Sequence, residues 1–65
     1  MFSVTNDNFP PEARMLFKDQ KAPFVHDYAR EAATKIGYSH TIWRQVGKDK
    51  DWKKIKTYQP IGENQ

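Results

Sequence analysis

The side chains best suited to chemistry in this sequence lie in one stretch, Ser39, His40, Thr41, Arg44 and Gln45, followed closely by Lys48, Lys50, Lys53, Lys54 and Lys56. The first five can donate or accept hydrogen bonds at nucleobase edges. A guanidinium such as that of Arg44 spans the O6 and N7 acceptors of guanine, and a carboxamide such as that of Gln45 matches the adenine edge. The lysines match phosphates, whose contacts anchor a complex without reading its sequence. Residues 48 to 56 hold five lysines against two aspartates, a surplus equal to the whole chain's net charge of +3. Such a segment suits a polyanion, although a lysine-rich hairpin kept soluble by its charge has the same composition.

Other chemistries find little support. The chain has no cysteine, which removes disulfides and thiolate metal sites, and its two histidines, His26 and His40, stand fourteen residues apart with no ligand spacing around them. No metal or cofactor is expected. Neither histidine has a nucleophile with an orienting acid, the three glycines form no phosphate loop, and His26 beside Asp27 reads as a surface residue, so no enzyme is expected. No apolar run reaches membrane-spanning length and the first residues lack a signal-peptide pattern; the expectation is a cytoplasmic, nucleoid-associated protein with no membrane partner.

With 65 residues there is room for one small domain, held mainly by two Trp, three Tyr and four Phe. Residues 1–9 read as an N-terminal arm or a short strand over Phe2 to Thr5. Pro11 suits the first position of a helix, which is expected over 11–20 and closed by Pro23. Phe24, Val25, Tyr28, Ala29, Ala32, Ala33 and Ile36 then recur as one face of a second helix, which Gly37 ends. Ser39 would cap a third helix running to Val46 or Lys48, completing a helical core over 11–48. Residues 49–60 read as a basic wing or a helix, with a lean toward strand at 51–58, and 61–65 as a tail.

The stretch AREAATKIGYSHTIWRQVGK, residues 29–48, resembles the helix-turn-helix of phage repressors, resolvases and excisionases. Ala33 would let two helices approach, Ile36 and Tyr38 would flank the turn, and Trp43 and Val46 would pack inward. Trp43 departs from the family, which places Val or Ile there. The resemblance implies a mainly α, three-helix domain, with or without a C-terminal β-hairpin wing, that binds double-stranded DNA through the major groove as a small transcriptional regulator or recombination accessory factor. Ser39, His40, Thr41, Arg44 and Gln45 would then read bases, with Ile42 turned partly outward, and a homodimer or cooperative oligomer is expected on paired half-sites. The competing expectation is a protein-binding inhibitor or adaptor anchored by exposed Trp43, Trp52, Tyr58 and Phe residues. A third is single-stranded nucleic acid stacked on WKKIKTY.

Overall fold

The computed structural model describes residues 1–47 and 51–60. The described residues form one α-helix and four strands, in the order β1 (Phe2–Asn6), a 3-10 turn (Pro11–Ala13), β2 (Met15–Phe17), α1 (Ala22–Ile36), β3 (His40–Val46) and β4 (Asp51–Tyr58). The strands form a single antiparallel sheet in the spatial order β2-β1-β3-β4. Strands β2 and β3 therefore run parallel with β1 between them, and α1 is the crossover that joins them.

This overturns the mainly α, three-helix fold expected from the sequence, and with it the helical core over 11–48. The second helix forms where its periodicity places it and ends at Gly37, whose φ of 88° is left-handed and whose N–H donates to the Ala33 carbonyl. Pro23, expected to close a first helix, instead lies in the first turn of α1. Residues 11–20 keep only the 3-10 turn and then extend into β2, because MLF offers no turn-spaced apolar face and gains pairing with β1. The segment from Ser39 is a strand. HTIWRQV combines β-branched Thr, Ile and Val with Trp, which suit a pleated surface, and its neighbours supply paired strands on both sides.

The core lies between α1 and one face of the sheet. Val4 and Ile42 face each other across β1 and β3 and are capped by Val25 and Ala29, with Phe17 beside them and Phe2, Tyr28 and Tyr58 partly buried around the rim. Ala29, Ala32 and Ala33 are all buried on the helix's inner side. Their small side chains let the helix approach a sheet, the role that the sequence reading gave Ala33 toward a second helix. A hydrogen bond of 2.8 Å between His26 Nδ1 and the Tyr58 hydroxyl ties the helix to β4. No helix among the described residues is long and apolar enough to cross a membrane.

Nothing lies within 4 Å of where a Gly37 Cβ would sit, so substitution there is penalised by backbone conformation alone. Gly37→Ala is expected to destabilise the domain by about 1 kcal/mol, lowering its melting temperature by roughly 4–8 °C. Thermal unfolding followed by circular dichroism checks this, and an unchanged midpoint would contradict the left-handed cap.

Candidate nucleic-acid interface

Strand alternation distributes the expected site residues over two faces and so dismantles the single reading surface that a helix would have offered. Ser39, His40 and Thr41 turn into the structure. The Ser39 hydroxyl donates to Asp7 Oδ2 at 2.7 Å, and His40, nearly fully buried, has its Nδ1 2.9 Å from the Tyr38 carbonyl. Thr41 is buried with its hydroxyl 3.0 and 2.9 Å from the two oxygens of Asp7. None of the three is free to meet a base. Ile42, expected partly outward, is completely buried. Gln45 is half-buried beside Trp52 on the uncovered face of the sheet, and only Arg44 stands exposed, on the face that α1 covers farther back.

Asp7 is the residue that the sequence reading missed. It follows β1, its N–H donates to the Ser39 carbonyl at 2.9 Å, and its carboxylate gathers hydroxyls from both central strands. Thr41 has one proton and spends it on this carboxylate, so the Thr57 hydroxyl, 2.9 Å away, donates to Thr41. Thr5 Oγ1 accepts the indole N–H of Trp43 at 3.0 Å and lies 3.3 Å from Asp7 Oδ1. The chain of bonds runs from Trp43 through Thr5 to Asp7 and from Thr57 through Thr41 to the same group. It fixes the Trp43 ring across β1, and Ser3, Thr5 and Thr41 are buried although they lie on the face that no helix covers. A visible signal for it was the threonine at positions 5, 41 and 57, which the register sets side by side.

The two indoles on that uncovered face are each met by a cation. The Lys54 ammonium lies 5.9 Å from the Trp43 ring centre, and the Arg14 guanidinium lies 5.0 Å from that of Trp52. Trp43, Trp52 and Tyr58, expected as exposed anchors for a protein partner, are half-buried, whereas Phe9 and Phe24 are exposed. Within WKKIKTY, the Trp52 ring is met by Arg14 and the Tyr58 ring by the Lys56 ammonium, 5.2 Å from its centre.

The cations converge on the β3–β4 ribbon. Arg44, Lys53, Lys54 and Lys56 are exposed there against one described carboxylate, Asp51. A β-bulge between Ile42 and Trp43 in the register makes Ile55 the extra residue of β4. Pairing then sets Arg44 directly opposite Lys53, with Lys56 farther along the same face opposite Ile42, and Lys54 on the other face opposite Trp43. None of the four forms an ion pair with a described residue; the ion pair found among those residues is Arg30 with Asp27, on α1. Lys48 and Lys50, expected to touch phosphates, lie outside the described residues, as does the expected tail over 61–65. No family model, curated protein or solved structure matches the chain.

Removing the Asp7 carboxylate leaves the buried Thr41 hydroxyl without its acceptor. Asp7→Ala should lower stability by about 1–3 kcal/mol, and Trp43, whose partner Thr5 loses its carboxylate acceptor, should shift its fluorescence. Urea unfolding read through tryptophan emission measures both; a variant with wild-type midpoint and spectrum would show that Asp7 is not the hub.

Proposed function

We propose that the chain binds double-stranded DNA with the β3–β4 ribbon, rather than a helix, as the element that enters the major groove. An antiparallel two-stranded ribbon fits that groove as an α-helix does. The observation that carries the reading is the placement of Arg44 directly opposite Lys53. Like charges facing each other across a strand pair destabilise it, and no described carboxylate neutralises these two. A fold that tolerates that repulsion gains from it when a polyanion arrives. Lys54 and Lys56 add cations on both faces of the same ribbon, so phosphates flanking a groove can be met from either side.

The element that reads thus differs from the one expected, and so do the residues. Arg44 remains the base-contacting candidate, with Lys53, Lys54 and Lys56 on the backbone, whereas Ser39, His40 and Thr41 serve to hold β3 in place. Such a protein works at the nucleoid in the cytoplasm, as a small regulator or a recombination accessory factor. The exposed position of the four ribbon cations supports this over the adaptor reading, whose Trp and Tyr anchors are partly buried.

Lys53→Glu separates folding from binding. It replaces a repulsion with an attraction toward Arg44 and is expected to raise stability by roughly 0.5 kcal/mol. In the same variant, binding to random duplex DNA, followed by fluorescence anisotropy, should weaken at every salt concentration. For the wild type, the four ribbon cations predict a log-affinity slope against log salt of about −3 to −4. No binding at low salt, or binding indifferent to Lys53→Glu, would overturn the reading.

A further inference from the structure

The two edges of the sheet are finished differently. The β4 edge carries Lys53, Lys54 and Lys56 and a bulge, all devices that prevent another strand from pairing there. The β2 edge, MLF, has none of them. Around it stand Phe9, Met15, Leu16 and Phe24, exposed by 58, 49, 49 and 53%. Phe24 meets Phe17 edge-on at 6.2 Å and Phe9 and Met15 line a common groove with Ile36, on the helix side of the edge, while Leu16, opposite Ser3, lies on its other face.

The backbone of β2 is also poised outward. The Met1 carbonyl accepts the Gln45 N–H, and the Asp7 N–H donates to the Ser39 carbonyl, so the odd-numbered residues of β1 point their amides toward β3. Phe2 and Val4 consequently pair with Phe17 and Met15 of β2, and Leu16, opposite Ser3, directs its N–H and carbonyl away from β1 into the free edge.

We propose that this edge is the dimer surface of the protein, with β2 of a second copy pairing antiparallel about a twofold axis at Leu16. The two Leu16 residues exchange both backbone hydrogen bonds, and Met15 of each copy faces Phe17 of the other. Strand β2 is the same short length in both copies, bounded by the 3-10 turn before it and by Asp19, at φ 61°, after it, which fixes the register. Charge favours a copy of this chain over pairing of β2 with β4: the ribbon cations sit on the opposite edge, and the Arg14 guanidinium is turned across the sheet onto Trp52. Lys18, beside Asp19, is the cation that remains at the end of β2.

The area suits a weak dimer. The exposed halves of the four side chains amount to about 400 Å² per copy, taking aromatic side chains at 150–250 Å². Doubled by the axis and joined by the strand backbone, this approaches the roughly 1,200 Å² of the smaller specific interfaces. The product is a continuous eight-stranded sheet with one β3–β4 ribbon toward each end, about 29 Å apart by strand spacing. That separation is near the roughly 34 Å repeat of half-sites on DNA, a point that rests on the proposed DNA reading, whereas the dimer itself does not.

Sedimentation equilibrium from about 10 µM to 1 mM, without nucleic acid, tests the surface independently of DNA binding. The wild type is expected to move from the 7.7 kDa monomer to twice that mass. Leu16→Lys, which places on this edge the guard that β4 already has, should stay monomeric with an unchanged circular dichroism spectrum. If Leu16→Lys unfolds, Phe9→Ser, outside every strand, decides instead by weakening the dimer at least tenfold. A wild type that remains monomeric to 1 mM overturns the proposal, and so does a dimer indifferent to both substitutions.

Discussion

The cross-strand contact of Val4 with Ile42 beneath Val25 and Ala29 is the interaction on which the rest of this structure depends. In so short a chain few side chains can be removed from water, and these four come from β1, β3 and the inner face of α1 up to its middle. Burying them fixes the sheet's middle pair and therefore the parity of every residue along β3. Once Ile42 points inward, Thr41 and Trp43 must face the uncovered side and Arg44 must return to the helix side. The Asp7 network and the opposition of Arg44 to Lys53 both follow from that parity.

Strand β3 consequently does two kinds of work. Its first half, His40 to Ile42, is sealed by the helix, by Tyr58 and by the hydroxyls around Asp7. Its second half, Trp43 to Val46, opens to solvent: Arg44 is exposed between Phe2 of β1 and Lys53 of β4, and Gln45 and Val46 continue past β1 along β4. A sealed first half and an exposed cation on the same strand are what the proposed DNA contact requires, since a ribbon anchored in a core presents its cations with little ordering cost.

Much of the fold was legible locally and little of it globally. The spacing from Phe24 to Ile36 specified α1, and Gly37 specified its end, because both signals are encoded within a few residues. Phe2 to Thr5 was open between strand and arm, and a strand partner in β3 decides it. The helix expected from Ser39 failed because a glycine after a helix also begins a strand, and Ser39 finds its hydroxyl partner in Asp7, 32 residues away, not in a following backbone amide. Thr41, Ile42, Trp43 and Val46 favoured strand by type, and Trp43, too large for the expected helix crossing, lies across β1 instead. The polar residues from Ser39 to Gln45 were legible by type, but their faces depend on register, which no local signal fixed. The lysines of β4 were legible because exposure and charge need no partner to be read.

The most direct measurement is a titration of isotopically labelled protein with a short random duplex at low salt, following backbone amide chemical shifts residue by residue. Contact through the ribbon predicts the largest shifts at Arg44, Lys53, Lys54 and Lys56, with the outer face of α1 nearly silent. Shifts concentrated on α1, or none at all, would contradict it.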